Sequence, residues 1–422
     1  FGWSATDRTE VDTLCAPAAV TTEALAHKTA TETGGVCHTA TLDQLACDGL
    51  KAASVATTEA VACLEVWPAN TSPLFAQRPT TPAQETSWGF ALDSSGAEEK
   101  LVLAVSSSAR KVTSGTQRTD TDRYITRVLA SDFTPDASFN GGSQFTLDVS
   151  NLAQNDNSRR VIVEADGAIV SAGYTNIGGA FPGATPLDTP GNHIALIRLL
   201  PSGTADPAFG FSTFLGADFN QGQTLHMPFL GDGAGAEAYG VTQLSTGTYV
   251  TTGYGTSNFD QASISVDLVS TAYSPADYQD GLDAQFGGNV AGVVGAFAVQ
   301  SEGDPNAGVS GTNPYMDRGR NVVALPDDRT VHGGVYDDLA ALFVITPDGE
   351  LDETVGNGTG RIQYAFPYAF FGLALSGDGD RIVGASQSKP RVNASTSATT
   401  GALIPGSYAK SLIAIVDIED DM

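Results

Sequence analysis

Five residues occupy one place in five repeated hairpins. Trp88, Arg159, Tyr239, Arg320 and Phe371 each stand eight residues ahead of the second position of a polar turn. Three rings alternating with two guanidiniums form a set that stacks on a sugar or planar ligand and holds a carboxylate or sulfate. One step later stand Gly89, Arg160, Gly240, Asn321 and Gly372. The competing reading is packing: these residues start their strands between neighbouring sheets, with Arg159 and Arg320 paired to acids such as Asp156 and Asp317.

Other residues with chemistry are sparser. Asp93 and Glu164 fall at equivalent strand positions, and a glycosidase needs two carboxylates facing each other across a sugar. They lie beside turns, where solvated acids are expected. His193, His226 and His332 are far apart in sequence and form a ligand set only if the fold converges them. The chain has no Gly-x-Ser-x-Gly elbow, no HExxH and no P-loop. "GDGDR" (377–381) is shorter than an EF-type calcium loop and reads as a turn. No metal or cofactor is expected.

The elements that position these residues are short strands. From Trp88 onward, hairpins recur: "WGFALDSSGAEEKLVLAVS", "RRVIVEADGAIVSAGY", "YGVTQLSTGTYVTTGY", "RNVVALPDDRTVHGG" and "FGLALSGDGDRIVGAS". A third strand follows each: "RYITRVLA", "HIALIRLL", "ISVDLV", "LAALFVIT" and "SLIAIVDI". Then comes a corner: "TPDASFNGG", "TADPAFGF", "LDAQFGGN" and "LDETVGNG". Its aspartates, Asp136, Asp206, Asp283 and Asp352, are spaced by 70, 77 and 69 residues. Asp accepts hydrogen bonds from turn amides, glycine supplies positive φ, and the Phe or Val plugs the gap between sheets. Repeats of this size, each of three or four antiparallel strands, point to a five-bladed β-propeller over 88–422. A sixth unit hidden in 55–87 or in the inserts, or an open stack of sheets, remains an alternative. The fifth unit lacks a fourth strand, and a closed ring would borrow one from the segment before Trp88.

The segments "ADGAIVSAG", "LIRLLPSGTADPAFG", "LDAQFGG" and "ITPDGELDETVG" resemble the bacterial delta-60 β-propeller repeat. Units of that family pair a hairpin containing "DG" with an "LDxSFG" corner. The resemblance covers residues ~88–422 and implies a propeller fold in an extracellular or envelope setting. It implies no chemistry, because such repeats serve many proteins. The chain departs from the pattern in its large inserts (175–192, 387–409) and in the longer, charged turn of its first unit.

The first 67 residues read differently. "TLDQLACDGLKAASVATTEAVACLEV" carries apolar residues at helical spacing, with Thr41 and Gln44 placed as a capping box. Cys15, Cys37, Cys47 and Cys63, the four cysteines of the chain, all fall here. With no CxxC pair or zinc-ligand spacing, they read as two disulfides stapling a small helical module in an oxidising compartment. Residues 68–87 read as a Pro/Thr-rich linker or strap.

The 422 residues carry a formal net charge of −27, with 48 acidic residues against 21 basic ones. Such a surface repels phosphate polyanions and argues against nucleic acid. It also suits salty surroundings, as in a halotolerant or marine source. No long apolar run marks a signal peptide or transmembrane segment. A start at Phe1 without Met fits a processed secreted protein and a trimmed chain equally. The expectation is a secreted or cell-surface protein (a periplasmic one fits too) that binds a glycan or protein partner at the propeller face. The alternatives are an extracellular polysaccharide hydrolase using channel carboxylates, and a structural subunit of a larger extracellular assembly.

Overall fold

The computed structural model describes residues 85–107, 111–113, 116–118, 120–147, 155–177, 191–210, 213–214, 217–218, 222–228, 235–257, 265–275, 282–283, 285–288, 295–299, 317–336, 339–367, 369–377, 379–387 and 411–418. The expected helical module, its four cysteines and most of the linker lie outside these residues. The chain divides into two compact units, 1–80 with 129–135, and 81–128 with 136–422. Of the first, residues 129–135 are described. They form a tight turn in which the Phe133 N–H donates to Leu129 O at 2.9 Å.

The second unit is mainly β, built from antiparallel sheets in sequence order. In the first sheet β1 (Glu85–Asp93) pairs with β2 (Lys100–Ser107). A small ribbon of β3 (Lys111–Thr113) and β4 (Thr116–Arg118) follows, and β5 (Asp122–Leu129) and β6 (Phe145–Leu147) complete the order β1-β2-β5-β6. β1 begins three residues ahead of the expected boundary at Trp88.

The second sheet holds β7 (Asp156–Val163), β8 (Ile169–Ile177) and β9 (Gly191–Leu199). After a ribbon of β10 (Thr213–Phe214) and β11 (Ala217–Asp218), β12 (Gln223–His226) closes it. The third sheet is β13 (Gly235–Gln243), β14 (Tyr249–Ser257), β15 (Ser265–Tyr273) and β16 (Ala296–Val299). The fourth is β17 (Arg318–Ala324), β18 (Thr330–Tyr336), β19 (Leu339–Ile345) and β20 (Arg361–Pro367). The fifth, β21 (Phe370–Leu375), β22 (Arg381–Gln387) and β23 (Ser411–Asp417), is three-stranded among the described residues.

The interior strands show why the sheets stack. All seven residues of β18 and six of seven in β19 are buried, a pattern of strands covered on both faces. Among the described residues the core is accordingly divided among four seams, each shared by two consecutive sheets. Ile125 and Leu147 meet Ile169 and Ile197; Val170 and Leu196 meet Ala238 and Val269; Leu268 and Val299 meet Phe343 and Ile345; Leu342 and Val344 meet Phe370 and Ile382.

The corner motif closes each seam. Asp136 Oδ1 accepts the Ser138 N–H at 2.9 Å, and the same bond recurs from Ala208 to Asp206, Gln285 to Asp283 and Thr354 to Asp352. This turn drives Phe139, Phe209, Phe286 or Val355 into the seam, where each is at most 2% exposed. The corner also reaches the following unit: Asn140 N–H donates to Ser202 O, and Gly287 N–H to Asp348 O, both at 2.7 Å.

Candidate functional site

In each of the five larger sheets among the described residues, the pairing of first strand with second slips by one residue. The slips fall between Ser87 and Gly89, Ser158 and Arg160, Ala238 and Gly240, Gly319 and Asn321, and Phe370 and Gly372. The residues left without a cross-strand partner are Trp88, Arg159, Tyr239, Arg320 and Phe371. A β-bulge of this kind re-aims one side chain out of the strand's alternation. It also presses the first strand's backbone against the second. A Cβ placed on Gly173, Gly253 or Gly334 would overlap the carbonyl oxygen of Asn157, Glu237 or Arg318 respectively, so the glycine in "SAGY", "TTGY" and "HGGV" is needed for this close approach.

The five bulged side chains form one ladder. The Arg159 guanidinium lies 4.6 Å from the Trp88 ring centre and 4.8 Å from that of Tyr239. Arg320 lies 4.5 Å from Tyr239 and 5.9 Å from Phe371. These are cation–π distances. The salt bridges among the described residues join neither Arg159 to Asp156 nor Arg320 to Asp317. Trp88 and Phe371, at the ends of the ladder, are 54% and 41% exposed, whereas Tyr239 between the arginines is half-buried.

Second strands and neighbouring positions thicken the ladder. Tyr174 accepts a hydrogen bond from Arg159 Nη2 at 3.0 Å. Tyr254 stacks on Tyr239 with ring centres 5.2 Å apart, and Arg318 caps Tyr254 at 4.5 Å. The Tyr254 hydroxyl donates to Glu237 Oε2 at 2.9 Å, and Asn192 Nδ2 donates to Glu237 Oε1 at 2.5 Å. Burial first, and the Glu237 charge second, push the Tyr174 phenol up to about 12 and drive Tyr254 higher still. Both phenols therefore stay protonated near neutrality. Sequence reasoning missed Tyr174, Glu237, Tyr254 and Arg318. The available signal was the Tyr after glycine in "SAGY" and "TTGY", and the position two residues before each bulge.

The carboxylates considered for glycosidase chemistry are engaged in ion pairs. Asp93 takes Arg127 Nη1 at 3.2 Å, while Arg127 Nε binds the corner Asp136 at 2.7 Å. Glu164 takes Arg198 Nε at 2.8 Å and the Tyr249 hydroxyl, and Arg198 also pairs with the corner Asp206. In the first two repeats, therefore, one arginine of the third strand ties the hairpin turn to the corner.

The histidines do not gather as a set. His193 and His226 lie on the paired strands β9 and β12, while His332 on β18 bonds Thr330 at 2.9 Å. Among the described residues no group of three or more His, Cys, Asp or Glu is placed to hold a metal ion.

No protein-family model matches this sequence, and no curated protein does. Among solved structures, the chain is similar to the polysaccharide lyase Uly1, with 10% identity and a TM-score of 0.36 over 78% of this chain and 57% of that one. It is similar to a levansucrase mutant from B. megaterium at 10% identity, TM-score 0.35, covering 80% of this chain and 84% of that one. A xylan beta-1,4-xylosidase from Bacillus halodurans gives 12% identity and TM-score 0.33 over 78% and 52%. The chain thus spans little more than half the length of the lyase and the xylosidase. Likeness at this level assigns neither family nor activity.

Proposed function

We propose that the second unit is a five-bladed β-propeller acting outside the cell or on its surface as a glycan-binding module, with the bulge ladder as its binding face. The observation that carries this reading is the same bulge in all five hairpins, each setting one side chain into a continuous row of rings and guanidiniums. A strand start needed only for packing would keep its pairing, because a bulge gives up ladder hydrogen bonds. Trp88 and Phe371 leave ring surface open for a sugar to stack on, and Asn192, Glu237 and Tyr254 supply polar groups suited to sugar hydroxyls. Asp93 and Glu164, the two sequence candidates of the hydrolase alternative, are each bound to an arginine of their own repeat, which supports a structural tie for both.

Trp88→Ala tests the reading. The side chain is more than half exposed, so its loss leaves stability within about 0.5 kcal/mol of wild type. Retention on a polysaccharide panel in affinity electrophoresis is expected to fall about tenfold or more. Unchanged retention of the folded variant, or a wild-type protein that no glycan retards, overturns the proposal.

A further inference from the structure

The ladder's arginines differ from the others for which ion pairs are described. Arg127, Arg198 and Arg329 each hold two carboxylates. Arg159, Arg318 and Arg320 hold none among the described residues, in a chain with more than twice as many acids as bases. Rings hold them instead. Arg318 and Arg320 share one ring, Tyr254, at 4.5 and 5.6 Å, so two like charges meet the same phenol. The carboxylate hydrogen-bonded into this cluster is Glu237, and its oxygens are taken by Tyr254 and Asn192 rather than by an arginine.

The Nε atoms of Arg318 and Arg320 are buried with no hydrogen-bond partner. Both residues are partly exposed, and no acceptor is described for their Nη atoms. Ring contacts therefore hold two guanidiniums near Tyr254 with no carboxylate on their forked ends, donors of the kind that grip a planar or tetrahedral oxyanion.

Resting on the glycan-binding reading, we propose that this cluster is an anion subsite and that the ligand is an acidic oligosaccharide. Arg318 and Arg320 take its carboxylate or sulfate ester while the sugar ring lies against the ladder. The net charge of −27 narrows the class further. A densely charged polymer is repelled by the rest of the surface, whereas a glycan with one or a few separated acidic groups reaches the arginines without that cost. The subsite thus selects sparse acidic sugars from both neutral glycans and polyanions.

Titration calorimetry with four probes tests this: digalacturonate, its methyl ester, a galactose-6-sulfate disaccharide and heparin. Digalacturonate or the sulfated disaccharide is expected to bind about tenfold or more tightly than the methyl ester, and whichever binds better identifies the oxyanion. Heparin is expected to bind more weakly than either. Arg318→Gln is expected to abolish the preference for the acid while leaving methyl-ester binding in place. Should that variant not fold, displacement of digalacturonate from the wild type by free glucuronate but not by glucose supports the subsite, and equal displacement overturns it. Equal affinity for acid and ester, or an acid preference that survives in Arg318→Gln, overturns the subsite and leaves glycan binding standing. Binding of no saccharide in any form removes the glycan-binding reading itself. An acidic peptide that outcompetes every sugar places the anion on a protein partner and overturns the proposal.

Discussion

Around Tyr254 a phenol, a carboxylate and two guanidiniums occupy adjoining positions, and each explains the next. Stacking holds Arg318 and Arg320, the phenol anchors Glu237, and Glu237 helps keep that phenol protonated. Tyr254→Phe leaves the buried Glu237 with Asn192 as its described partner. The expected loss is about 1–3 kcal/mol in urea unfolding, and a change under ~0.5 kcal/mol would mean the bond is not formed. The corner aspartates make a second residue-scale case. Burial raises the Asp136 carboxyl, but bonds from the Ser138 hydroxyl and N–H, the Arg127 charge and Lys100 outweigh it and bring it to about 2. A carboxyl held below its unfolded value stabilises the fold above pH ~4, and that contribution is lost as pH falls toward 2. Asp136→Asn leaves the buried Arg127 short of a carboxylate and is expected to cost roughly 3 kcal/mol, measured by the same unfolding experiment at pH 7.

The strand pair with its bulge is the unit that builds the ladder. Gly253 lies where the bulged β13 backbone touches β14, and a methyl group there overlaps Glu237 O. Gly253→Ala is expected to lose at least about 2 kcal/mol, through forced backbone movement. Gly235→Ala, whose Cβ would meet nothing nearer than 3.7 Å, should cost well under half of that. Equal losses from the two would remove the bulge from the account. Much of the hairpin framework was legible in sequence because alternation, polar turns and the Asp-x-x-Phe corner are local signals. Counting from each turn aligned the five ladder residues for the same reason. The bulges were not legible, since a register slip belongs to a pair of strands and no single strand encodes it. The ion pairs of Asp93 and Glu164 were hidden likewise: their arginines lie 34 residues away on another strand, and the acids by themselves resembled solvated turn residues.

The described unit spreads its burial over several seams, and its second strands and closing strands carry two desolvated histidines, His332 on β18 and His226 on β12. Burial brings His332 down to about 3, and burial reinforced by His193 does the same to His226. The unfolded chain binds protons at both sites near pH 6.5 while the folded chain does not, so stability falls as pH drops from about 6.5 toward 3. The expected loss by pH 5 is about 2 kcal/mol for His332, which is fully buried, and less for the partly exposed His226. Calorimetry across pH 7 to 5 reads the slope, and proton NMR should show both imidazoles failing to titrate above pH 5. A flat melting temperature over that range would count against their burial. No helix among the described residues is long and apolar enough to cross a membrane. The seams have one more consequence, for how such a chain diversifies. Each seam involves only two neighbours, and each repeat lends one bulged side chain to the ladder. Duplication or exchange of whole repeats therefore alters that row one bulged residue at a time, while the hydrophobic joints on which folding depends keep their form.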